Sequence, residues 1–328
     1  MKTALAVGML VVATASVDEI DARVAEARGL LGQDKPAAAL ERLAGLDLGD
    51  PRVGLVTGVA HYHAGDAVKA VEALTPLVNR FPEGSLERRE AVQVLGLANV
   101  IAGRLAEALP LLEETRLWAA DNLELNQILG NAYIQTQKPD KARGCFAQAF
   151  GVPGDSAAAH LLAAQMMVRV EQENLAEAEL RQAIQKDPRL PQAHFLLGQI
   201  ALFRGRLEEA IELTRQEIAL NPGNASAWSQ LGDAQVRRQA WDEAAGALQR
   251  SIWINPYYSA PYILLGRTYM KKGQPGTAES MLRRAVEYDP NNKAAHYLLG
   301  QVLQQLGRAE EASKELEIAA RLQGQPGR

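Results

Sequence analysis

Cysteine is nearly missing from this chain: among 328 residues there is only Cys145. A lone thiol excludes an internal disulfide framework and any cysteine-rich zinc site, and it fits either redox compartment. Charge of one sign is also missing. Lysine and arginine number 35 against 39 acids, intermixed, for a net charge of −4, so the basic footprint that a nucleic-acid backbone requires is absent. No apolar run reaches the roughly 20 residues that span a bilayer. The run from Ala4 to Ala13, behind Lys2, ends at Ala13-Thr14-Ala15, the small-x-small pattern of a signal-peptidase site. Residues 1–15 therefore read as a signal peptide of a bacterial exported protein, periplasmic or extracellular. The alternative is an apolar first helix in a cytoplasmic protein.

Catalytic signatures are lacking too. There is no nucleophile elbow, no Walker loop, no dinucleotide glycine cluster and no cysteine with a positioned histidine. The expectation is a protein that is not an enzyme and holds no cofactor and no metal. His61-Tyr62-His63 resembles a metal motif, but residues i and i+2 point about 200° apart on a helix and no third ligand follows.

What the chain does have is a period. Pro188, Pro222, Pro256 and Pro290 are each 34 residues apart, following Asp or Asn. Gly96, Gly130, Gly198, Gly232, Gly266 and Gly300 keep the same phase, with Ala164 in the vacant place; so do Ala108, Ala142, Ala176, Ala210, Ala244, Ala278 and Ala312. Within each unit Tyr262, Leu265, Gly266 and Tyr269 fall on one helical face, and Ala278, Leu282 and Ala285 on a second. Proline ends the second helix, since it donates no hydrogen bond and disfavours a helical residue before it. Glycine inside a helix costs about 1 kcal/mol relative to alanine. Its phase therefore implies close approach of the first helix to the alanine-bearing second one.

The pattern Trp228, Leu231, Gly232, Ala244, Leu248 and Pro256 resembles the tetratricopeptide repeat. Units starting at residues 89, 123, 157, 191, 225, 259 and 293 fit without gaps; another from residue 51 is followed by four extra residues, Ser85 to Arg88, and a degenerate one covers 16–50. The resemblance implies an all-α fold, a right-handed α-α superhelix of eight to nine helix-turn-helix repeats over residues 51–326 and the degenerate start. It also implies a non-enzymatic scaffold that binds a protein or peptide in the concave groove built by the first helices. By resemblance the groove positions include Gln165, Arg169, Phe195, Gln199, Phe203, Asp233, Arg237, Arg267 and Lys271. Two aromatic anchors and four cations facing Asp233 suit an acidic segment. The clamp of chaperone-tail binders is not reproduced: Asn131 has the right place, but Gln127, Leu161 and Gln165 stand where its other members belong.

His160, His194 and His296 share the place held elsewhere by Trp228 and Tyr262, so they read as packing residues with a polar tip. Glu208-Glu209, Asp242-Glu243 and Glu310-Glu311 read as acids at helix amino termini. After Leu322 come Gly324, Gln325, Pro326 and Gly327, without a capping helix. That leaves Ile318, Ala319 and Leu322 as an expected exposed patch, and a homo-oligomer through the C-terminal repeat as the alternative function.

Overall fold

The computed structural model describes residues 16–323; residues 1–15, where a signal peptide is expected, and the residues from Gly324 to Arg328 lie outside them. Among the described residues there are eighteen α-helices, one short 3-10 turn and no strand. The chain divides into two compact units, one ending at Gly154 and the other beginning at Asp155.

In the first unit the helices pair as α1 (Val17–Gly32) with α2 (Pro36–Leu43), α3 (Pro51–His63) with α4 (Ala67–Leu74), α5 (Leu86–Ile101) with α6 (Leu105–Arg116), and α7 (Leu123–Gln135) with α8 (Pro139–Phe150). The 3-10 turn, Val78–Arg80, follows α4. In the second unit the pairs are α9 (Ala157–Arg169) with α10 (Glu173–Lys186), α11 (Ala193–Phe203) with α12 (Leu207–Leu220), α13 (Ala225–Arg237) with α14 (Trp241–Ile254), α15 (Ser259–Lys271) with α16 (Pro275–Tyr288), and α17 (Lys293–Gln305) with α18 (Ala309–Gln323).

Local chemistry sets the helix ends. Asn122, Ser156, Asn224 and Asn292 each accept a hydrogen bond from the backbone N–H three residues on, which satisfies one of the orphan donors of a helix start. Between the helices of a pair the chain passes through the left-handed region, at Gly205 with φ 72° and Gly273 with φ 71°. Gln137, Glu171 and Gln239 hold the same turn position with φ of 57°, 58° and 64°, so the turn is imposed by the packing of its helices. The extra residues Ser85 to Arg88 form no loop: Ser85 caps α5 and the other three make its first turn. Helix α11 starts two residues later than the period predicts, at Ala193, because Gln192 takes a left-handed φ of 71°.

The phased glycines do permit close approach, but their partner is not an alanine. A methyl at Gly58, Gly232 or Gly266 would lie 2.4 to 2.5 Å from Leu74, Leu248 or Leu282, always sixteen residues later; Gly130 meets Phe146 in the same way. The phased alanines from Ala108 to Ala312 are buried behind this contact. Gly198 differs: Thr214 stands at its partner position, and Gln230 Nε2 donates to Thr214 Oγ1 at 3.0 Å. Cys145 packs in the first unit's core, and burial pushes its thiol up to about 11.

The end of the second unit departs from expectation. Ala319 is only 3% exposed, and Ile318 and Leu322 are half-buried, since α18 packs along α17. Of the three residues on which C-terminal self-association rested, Ala319 is covered and Ile318 and Leu322 are partly exposed.

Candidate functional site on the first helices of the second unit

The aromatic position explains itself in the structure. His194 Nε2, Trp228 Nε1, Tyr262 Oη and His296 Nε2 each donate to a proline carbonyl six residues earlier, on Pro188, Pro222, Pro256 and Pro290, at 2.9 to 3.0 Å. In the first unit, Asn126 Nδ2 does the same to Ala120 O at 2.7 Å. In these five units the position holds a side chain with an N–H or O–H at its far end, which closes the loop before its helix, whereas Val92 and Gly54 hold the same place without a donor. His160 follows Gly154 by six residues and turns to Asp155 Oδ1 at 3.1 Å, while its Nδ1 meets Glu179 Oε2 at 2.6 Å. His296 Nδ1 meets Glu315 Oε2 in the same way at 2.6 Å. His160 and His296 use both ring nitrogens in framework contacts, and His194 uses one, its Nδ1 being buried without a partner. Among the described residues no group of three or more His, Cys, Asp or Glu side chains could hold a metal ion.

The acids before the phased alanines are not merely helix-start charges. Glu177 receives Arg181 at 2.8 Å, Arg206 at 2.9 Å and Arg204, while Glu209 receives Arg181 at 2.7 Å and Arg206 at 2.9 Å. The same four-membered arrangement recurs with Glu279, Arg283, Arg308 and Glu311, at 2.6 to 3.0 Å. Hydrogen bonds from Arg206 first, and from Arg181, hold the Glu177 carboxyl down at about 2.

The wall suited to binding is formed by first helices, which touch in succession: α11 with α13, α13 with α15, and α15 with α17. Phe203 ends α11 with 77% of its surface exposed, and Phe195 is half-buried, its carbonyl accepting from Gln230 at 3.3 Å. Gln165 Nε2 donates to Gln192 Oε1 at 3.2 Å, which ties α9 to the start of α11; Gln199 is exposed. Arg169, exposed at the end of α9, lies over Met166 Sδ at 3.7 Å.

Four free cations are not what the wall presents. Arg237 forks onto Asp233 at 2.9 and 3.2 Å and donates to Leu202 O at 3.2 Å, where it satisfies a carbonyl in the last turn of α11. Arg267 and Lys271, by contrast, are exposed and have no ion pair among the described residues. With Met270 they form one side of an open cleft of about 480 Å³, whose other side is Leu298, Gln301, Gln304 and Gln305 of α17. Leu298 was missed in the sequence because its place in the unit belongs to the framework; it reaches the cleft from the edge of the core.

Comparison with known proteins agrees with the architecture. Two family profiles, both described as tetratricopeptide repeat, match residues 100–166 and 269–326, and residues 165–225 and 202–259. No curated protein matches the chain. Among solved structures, pilF of Pseudomonas aeruginosa is 18% identical with a TM-score of 0.51, over 62% of this chain and 93% of that one. YrrB, a TPR protein described as having an unusual peptide-binding site, is 20% identical with a TM-score of 0.46, over 55% and 93%. MamA is 23% identical with a TM-score of 0.45, over 49% and 94%. No helix of the described residues is long and apolar enough to cross a membrane. The two profiles together span residues 100–259 and 269–326, well over half the sequence, and the chain belongs to the tetratricopeptide repeat family.

Proposed function

We propose that the chain is a non-enzymatic scaffold whose second unit holds an extended or helical peptide with acidic residues, centred on the cleft between α15 and α17. One observation carries the reading: Arg267 and Lys271 stand unpaired over an open cleft whose remaining lining is apolar or amide. Met270 and Leu298 offer apolar contact, and Gln301, Gln304 and Gln305 offer both donors and acceptors to a peptide backbone. Phe203 extends the surface as an exposed aromatic anchor on the same succession of helices. Arg237 contributes structure, since its charge is already met by Asp233.

An array of defined peptides, acidic and neutral, probed with the purified protein tests this. Acidic peptides are expected to bind, more weakly as salt rises, and Arg267→Glu with Lys271→Glu is expected to cost at least about tenfold in affinity. Wild-type affinity in that double variant would move the site elsewhere.

A further inference from the structure

The seventh residue of each repeat is a buried apolar side chain: Leu95, Leu129, Leu197, Leu231, Leu265 and Leu299, with Ala163 in one unit. In the unit that begins at Pro51 this position is Thr57. Thr57 is only 6% exposed, and its hydroxyl has no hydrogen-bond partner. A threonine in a leucine place leaves room beside it, although its hydroxyl oxygen has essentially no accessible surface and is out of a ligand's reach. That space exists: a cavity of about 380 Å³ lies against Thr57, where the sibling repeats carry leucine. Ligand sites start near about 300 Å³, so this one admits a small molecule or one terminal side chain.

The lining has two characters. Leu48, Ala73, Pro76 and Leu77 make apolar walls, and Leu48 keeps 53% of its surface exposed at the lip. Arg80 reaches the rim from the 3-10 turn; one nitrogen donates to Gly49 O at 2.7 Å, and the guanidinium has no carboxylate partner among the described residues. Lys69 and Glu72 share the rim, with Lys69 drawn to Asp66 at 2.8 Å. His61, one turn after Thr57, is shifted down by burial, so it presents a neutral ring at neutral pH.

We propose that this cavity binds a small amphipathic carboxylate, its apolar body among Leu48, Ala73, Pro76 and Leu77 and its carboxylate on Arg80. The planar guanidinium fork matches a carboxylate, and its free donors are available for one. The site lies in the first unit and does not depend on peptide binding by the second. Two sources supply this chemistry: a free short-chain acid, or the last residue of a peptide chain.

Titration of the full-length protein, followed by calorimetry or by amide shifts, separates them. Hexanoate represents the free acid, N-acetyl-leucine the chain terminus, and hexanamide removes the charge from the same tail. Saturable binding of at least one acid is expected, with hexanamide at least about tenfold weaker; the better acid identifies the source. Arg80→Gln and Thr57→Leu are each expected to lower affinity at least about tenfold, the second by restoring the leucine of the sibling repeats. Arg80→Gln carries the test alone if Thr57→Leu fails to fold. The proposal is overturned by no saturable binding of either acid, by equal binding of hexanamide, or by wild-type affinity in Arg80→Gln or in a folded Thr57→Leu.

Discussion

A single methyl group distinguishes two kinds of glycine in this chain. At Gly266 it would meet Leu282 Cγ at 2.4 Å, across the contact that joins α15 to α16, whereas at Gly246, in the middle of α14, it would meet nothing within 4 Å. Gly266→Ala should therefore lower stability by about 1–3 kcal/mol through overpacking, despite alanine's better helix propensity. Gly246→Ala should raise stability by up to about 1 kcal/mol, because there only propensity changes. Thermal melts of the two variants check this, and a shift of the same sign in both would refute the packing role. The sequence shows that Gly266 is in phase and Gly246 is not. It does not show that the opposing residue is a leucine, since that depends on which turn of α16 lies across from α15.

Between elements, second helices are tied to their successors by the quartets of Glu177, Arg181, Arg206 and Glu209, and of Glu279, Arg283, Arg308 and Glu311. Single exposed pairs contribute little, but a network that holds one carboxylate at about 2 contributes over a defined pH range. The folded value for Glu177 lies below its ordinary 4.5, so its contribution is complete above pH 4.5 and disappears as the pH falls toward 2. Glu177→Gln should lower the melting temperature near neutrality and flatten its decline between pH 4.5 and 2, as followed by circular dichroism at stepped pH. An unchanged slope would remove Glu177 from the acid response. These quartets were invisible in the sequence, where Glu208-Glu209 and Glu310-Glu311 read as helix-start acids. Arg181 with Glu177 and Arg206 with Glu209 have helical spacing, but Arg181 with Glu209 and Arg206 with Glu177 join positions 28 and 29 residues apart, which no local motif does. Arg237 has contacts of the same kind: its pairing with Asp233 fits helical spacing, but its bond to Leu202 O crosses between repeats.

For the molecule as a whole, the period made the helical architecture legible almost completely, because glycine, alanine and proline each occupy their position for a backbone reason. The sites were less legible, because they depend on departures from the period. Thr57 in a leucine position lines a cavity, and Arg267 and Lys271 stand without an ion pair among the described residues. Helices within each unit touch only near neighbours in the chain, so stability is assembled locally. Hydrogen exchange on Gly266→Ala should show faster exchange in α15 and α16, decreasing along the second unit, with α3 and α4 at wild-type rates. Uniform acceleration throughout the chain would show that the array opens only as one body.

The two quartets lie 102 residues apart, as Glu177 to Glu279 and Arg206 to Arg308, which is three periods of 34. A chain joined from Leu190 directly to Lys293 would bring Glu177 and Arg181 against Arg308 and Glu311 with every register kept. Residues 191–292 are thus flanked at both ends by the same electrostatic fastening, in the same register.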